Sequence, residues 1–131
     1  MRSVFLAGLM VGLASCSSMD SNNGAQTPAH DIAIKKNAAL LAANAFSPTT
    51  LTISLAQQTT VTWYNGDITG SGSYGGATGT SHRLISDNGT TFHSSTIAPG
   101  DIFKPTFTTA GTFTYHCEIH PTMTGTVTVN P

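Results

Sequence analysis

Charge is scarce in this chain. Five Lys or Arg and six Asp or Glu make up 8% of its 131 residues, for a formal net charge of −1. Nothing basic is clustered, so the electrostatic footprint of a nucleic-acid-binding protein is missing. Disorder driven by charge is equally excluded. Cysteine is nearly absent, with Cys16 and Cys117 alone. The most apolar run, Val4 to Leu13, is too short to span a bilayer. The chain is also too short for a two-domain oxidase, since soluble domains run to about 100 to 150 residues. What remains is one domain, 39% hydrophobic, with a neutral surface rich in Thr, Ser, Asn and Gln.

The amino terminus reads as an export signal. Arg2 precedes the apolar run, and the small residues Ala14 and Ser15 follow it before Cys16. Leu13-Ala14-Ser15-Cys16 resembles the lipobox of bacterial lipoproteins, in which cleavage precedes the Cys and that residue is acylated. Residues 1–15 are therefore expected to be a signal peptide and Cys16 the lipidation site. The protein is expected to be exported, periplasmic or on the cell surface, and anchored to a membrane. An ordinary cleaved signal and an uncleaved anchor are the competing readings. Losing residues 1–15 removes Arg2 and moves the formal charge from −1 to −2. With Cys16 lipidated, Cys117 has no disulfide partner, and its neighbours must explain it.

Residues 16–30 are small, polar and without period, as expected of a flexible tether. From residue 31 to 131 a single domain is expected. Apolar and polar residues alternate at Leu51 to Leu55, Val61 to Trp63, Phe113 to Cys117 and Val127 to Val129. Fainter strand signals lie at Asp31 to Lys35, His82 to Ser86 and Ile102 to Thr108, the last holding Pro105 as an edge strand or bulge would. Asn88-Gly89 marks a tight turn. Ala38 to Ala45 is helix-prone but too short to stand without packing. Gly66 to Ser81 has no period and is rich in glycine, which predicts a long loop. The fold class is all-β, an antiparallel sandwich of seven or eight strands.

The chemistry lies in Cys117-Glu118-Ile119-His120-Pro121-Thr122-Met123. Thiolate, imidazole and thioether stand at i, i+3 and i+6, beginning where a strand ends. A loop with that spacing can fold around one ion. Soft sulfur favours Cu(I), imidazole serves both oxidation states, and two His, one Cys and a weak axial Met make up blue-copper electron-transfer sites. One histidine is still missing from that set. Pro121 stiffens the loop, and Gly125 permits a sharp return into the last strand.

These segments resemble the cupredoxins, particularly the small plastocyanin, amicyanin and pseudoazurin group. The resemblance runs from about Ala45 to Asn130, through Phe46-Ser47-Pro48, Val61 to Asn65, Ala98-Pro99-Gly100, Gly111 to Tyr115 and Cys117 to Gly125. It implies a Greek-key sandwich and one type 1 copper ion cycling between Cu(I) and Cu(II). The missing ligand by this resemblance is His82, bound through Nδ1, so the metal set is His82, Cys117, His120 and Met123. The exposed edge of His120 is implied as the electron port, with Pro121 and its loop as docking patch. Two features depart from the pattern: sixteen residues separate Asn65 from His82, and Arg83 stands where relatives often carry an Asn that ties the ligand loops together.

Other readings of these residues are weaker. A buried inert thiol leaves His120 and Met123 unexplained, and a catalytic thiol lacks an oxyanion hole. Zinc rarely recruits a thioether. His93 and His116 read as surface histidines, the latter pointing away from Cys117 by strand period, and His30 falls in the tether. The expected function is single-electron transfer between redox partners at a membrane surface. The protein is expected to be a monomer and not an enzyme, with a redox protein as partner. A copper storage or delivery module is the alternative.

Overall fold

The computed structural model describes residues 27–71 and 76–131. The expected signal, Cys16 and residues 16–26 of the tether lie outside the described residues. The longest strands form where the Thr, Val and aromatic alternation is cleanest: β9 over Gly111–Cys117 and β10 over Thr124–Asn130. They pair antiparallel with Phe113 opposite Val127 and Tyr115 opposite Gly125. A Cβ on Gly125 would stand 2.4 Å from the Tyr115 ring, so this position admits no side chain. Strand β3, Thr50–Ser54, runs parallel to β10 on its other side, and β7, Leu84–Ser86, pairs with β9.

The second sheet is built from shorter pieces. Strand β1, Ile32–Ile34, lies between β2, Phe46–Ser47, and β4, Trp63–Asn65, and β8, Ile102–Phe103, closes the other edge. Two four-stranded sheets thus face each other, the all-β Greek-key sandwich of eight strands that the sequence implies. Between β1 and β2 the chain makes helix α1, Ala38–Leu41, and a 3₁₀ turn over Ala42–Asn44, so the helix propensity of this stretch is realised as one short turn on the sandwich. Ala38 is buried there, which supplies the packing that a four-residue helix needs.

The core fills the space between the sheets. Trp63 of β4 meets Tyr115 of β9 edge-on, with ring centroids 5.4 Å apart, and its Nε1–H donates to the Tyr115 hydroxyl at 3.1 Å. Phe46 and Phe92 pack around the same Tyr115 ring. The hydrogen bond satisfies the polar ends of two large rings that would be costly to bury unpaired.

Four sequence expectations change. The sandwich is mixed rather than antiparallel throughout, since β1 runs parallel to β4 as β3 does to β10. Val61 to Trp63 was expected to keep one face in water, yet Val61 to Asn65 are all buried. Strand β4 is internal to its sheet, and on its outer side His30 stacks on Tyr64 at 5.1 Å. Ile102 to Thr108 yields only a two-residue strand, because Pro105 has no N–H to donate; Thr106 keeps an isolated bridge to Thr60. Gly66 to Ser81 is not a featureless loop: it makes an outlying hairpin of β5, Ile68–Ser71, and β6, Ala77–Gly79.

Candidate metal centre

The antiparallel register of β9 and β10 obliges residues 118–123 to turn back at once. The Met123 N–H donates to the His120 carbonyl at 2.9 Å, and the Cys117 N–H donates to the Met123 carbonyl at 3.0 Å. The loop is thereby closed on itself, with Cys117 and Met123 both buried. His82 arrives from the neighbouring side, because β7 places Leu84 opposite Cys117. Just before β7, His82 exchanges two backbone hydrogen bonds with Ile97, at 3.1 and 2.8 Å. Nδ1 of His82 lies 3.7 Å from Cys117 Sγ, and Nδ1 of His120 lies 3.9 Å from the same sulfur. The ligand-capable atoms of His82, Cys117 and His120 all fall within 4.8 Å of one another. His82 and Cys117 are fully buried, whereas His120 is partly exposed.

Electrostatics favour the metal-ready form of the thiol. Burial pushes the Cys117 thiol up, but hydrogen bonds from His82, from the backbone N–H groups of Arg83 and His120 and from the His120 ring outweigh it and bring it down to about 6. Burial likewise works against a charged His82, yet its contacts with Cys117 and with a carboxylate, Asp67, raise it above the ordinary histidine value. The site therefore gathers a thiolate and two imidazoles, the donor types that suit copper in both of its oxidation states.

A family model for copper binding proteins of the plastocyanin/azurin family matches residues 14–130. The chain belongs to that family. Among solved structures, it is similar to a purple cupredoxin from Nitrosopumilus maritimus at 30% identity and a TM-score of 0.61, over 78% of this chain and 100% of that one. A copper-containing nitrite reductase from Thermus scotoductus is 28% identical with a TM-score of 0.53, over 70% of this chain but only 21% of that one. A Cu(I) amicyanin variant, at 22% identity and a TM-score of 0.53 over 79% and 87%, shares the fold. Among curated proteins none matches. Copper is accordingly the cofactor of this cupredoxin.

Sequence reasoning missed what holds His82 in place. Asp67 is 1% exposed, and its Oδ2 lies 3.1 Å from His82 Nε2. The same carboxylate accepts the N–H groups of Asn37, at 2.7 Å, and Ala38, at 3.3 Å. Asn65, also fully buried, accepts the Asp67 N–H at 3.0 Å and donates to the carbonyls of Thr80 and Ile97, each at 2.9 Å. One amide side chain therefore binds both ends of the excursion before His82 and the strand partner of His82. Nothing local marks Asp67 in the sequence, and Asn65 stands there only as the end of a segment that resembles the family; the one further signal was a long insertion placed directly before a ligand.

The departure at Arg83 is compensated by other atoms. Its carbonyl accepts the Glu118 N–H at 2.8 Å, and its guanidinium reaches the Glu118 carboxylate at 3.3 Å. The segments bearing His82 and Cys117 are thus tied together without an Asn. The remaining histidines stay apart from the cluster. His93 is exposed and bonded to Glu118 at 3.0 Å, while His116 points across β9 to Asp87 at 2.6 Å. His30 bonds to the Pro28 carbonyl at 2.7 Å.

Proposed function

We propose that this cupredoxin is a single-electron carrier whose copper is held by His82 Nδ1, Cys117 Sγ and His120 Nδ1, with Met123 as the weak fourth ligand. The observation that carries the reading is the convergence of these two Nδ1 atoms on one ionisable thiol, two of the three residues being buried and the third reaching solvent. Bound there, copper would supply one accessible redox couple, Cu(I)/Cu(II). The protein's part is to hold the donors still. Little rearrangement of His82 and Cys117 between oxidation states keeps the cost per electron low, and His120, partly exposed, is the natural exit. Locking of His82 from behind favours retention of the ion over delivery. We assign no enzymatic reaction to the protein, whose likeness to the nitrite reductase is confined to 21% of that chain.

Copper loading is expected to give an intense visible absorption that ascorbate bleaches reversibly. Cys117→Ser is expected to abolish the colour, and His93→Ala to spare it. A colourless wild-type product with bound copper would sink the blue-site assignment, and colour retained after loss of His82 would remove that residue from the ligand set.

We propose further that residues 1–15 are cleaved, that Cys16 is lipidated, and that residues 16–30 tether a monomeric domain, residues 31–131, to a membrane in the periplasm or at the cell surface. There it would exchange electrons with a redox protein. Each buried methylene of an acyl chain contributes about 0.8 kcal/mol, and more than one chain makes a lasting anchor. Cys16→Ser is expected to move the protein from the membrane fraction to the soluble one; an unchanged distribution would refute lipid anchoring.

A further inference from the structure

A buried carboxylate, Asp67, stands behind His82 in a chain with little charge. Among the described residues, the one ionisable side chain that meets the Asp67 carboxylate is His82. Burying a carboxylate costs several kcal/mol unless hydrogen bonds and a nearby positive charge compensate it. Two backbone N–H groups at the start of α1 supply part of that compensation. The fold invests in the arrangement. Asp67 opens the excursion that departs from the family pattern, Asn65 fixes its backbone, and Gly79 of β6 lies so close that a Cβ there would stand 2.0 Å from the Asp67 carbonyl oxygen.

We propose that Asp67 is a positioning residue: its buried carboxylate accepts the Nε2–H of His82, leaves Nδ1 free for the metal, and biases the site toward its oxidised state. A carboxylate can only accept at this contact, so the proton must sit on Nε2. The ring is then held with Nδ1 toward Cys117 Sγ, as its 3.7 Å separation requires. A carboxylate on the far nitrogen also makes an imidazole a stronger donor, a pairing found around metal-bound histidines generally. Charge adds to this. Asp67 and the Cys117 thiolate together balance the two charges of Cu(II), but leave one negative charge in excess with Cu(I). In a dry site that excess disfavours the reduced state. The insertion that separates Asn65 from His82 thus supplies a control on the site's potential.

The bias rests on the copper reading above; the hydrogen bond does not. In the metal-free protein, nitrogen-15 NMR is expected to show a downfield, slowly exchanging Nε2–H of His82, and absence of that resonance would overturn the hydrogen bond. In the copper-loaded protein, Asp67→Asn is expected to weaken Cu(II) binding about tenfold more than Cu(I) binding, in line with the usual cost of losing such a partner. That ratio corresponds to a rise of about 59 mV for a one-electron couple, read by potentiometry and by chelator competition for each ion. Asp67→Glu, which keeps the charge, is expected to hold the potential closer to wild type. A potential unchanged or lowered in Asp67→Asn, with copper bound, would overturn the bias, because a purely structural contact would move stability and leave the ratio alone. Failure of the wild type to take up copper with intense absorption would overturn the copper reading and the bias together, while the metal-free resonance judges the His82 contact by itself.

Discussion

Cys117 stands between opposing demands. Burial favours its neutral thiol, and the hydrogen bonds from His82, from the N–H groups of Arg83 and His120 and from the His120 ring favour the thiolate; the second set prevails. In metal-free protein, thiolate absorbance in the ultraviolet is expected to grow in as pH passes about 6, against 9.0 for an ordinary thiol. The consequence for stability depends on His82 as well. A lowered thiol value contributes stability that is present above 9.0 and lost as pH falls through about 6. A raised histidine value contributes stability that is present below 6.5 and lost as pH rises through the folded value. Just above 6.5 the folded pair carries its proton on His82 and the unfolded pair carries it on Cys117. The proton counts match, so the melting temperature of the metal-free protein should be level there. A steep climb with pH in that range would mean that Cys117 ionises without a charged His82.

The excursion over residues 66–81 is the element on which His82 depends, and Asn65 is its clasp. Asn65→Ala removes three hydrogen bonds, two of them buried and the one to Thr80 partly so, and leaves the Asp67 N–H and the Thr80 carbonyl without that partner. A loss of about 2 to 4 kcal/mol is expected in urea unfolding of the metal-free protein, together with weaker copper binding, since Ile97 and Asp67 both bear on His82. A loss below about 0.5 kcal/mol would show that the excursion stands without its clasp. The same element marks the boundary of what sequence reveals. The loop from Cys117 to Met123 is legible because its three chemical side chains are neighbours in sequence, and β9 and β10 are legible because one face meets water and the other the core. The β5/β6 hairpin is silent because its pairing is made by backbone atoms among Gly, Ala, Ser and Thr, with Ile68 as the one bulky apolar residue of its two strands. Asp67 is silent for a different reason: a carboxylate looks alike in sequence whether it faces solvent or lies 1% exposed against a histidine from another segment.

At the scale of the whole molecule, scarcity of charge bears on how it meets other molecules. A formal net charge of −1 on 131 residues gives little long-range steering. In the loop beside His120, Ile119 is 49% exposed and Pro121 and Thr122 are exposed, while Glu118, the charge nearest in sequence, is paired with Arg83. Contact through this patch should be brief and governed by desolvation. Electron self-exchange between reduced and oxidised copies tests this without a known partner, because two such patches must meet. In the wild type the self-exchange rate, measured by NMR line broadening, is expected to change less than about twofold as ionic strength rises from about 0.01 to 0.1 M, although the screening length falls from about 30 to 10 Å. Ile119→Lys places like charges on both surfaces while leaving the buried donors alone. It is expected to slow self-exchange by about tenfold at low salt, with much of the loss recovered at high salt as the repulsion is screened. An unchanged rate with an unchanged visible spectrum would mean that electrons leave by a face other than that of His120, and would remove the port assignment while leaving the copper site intact.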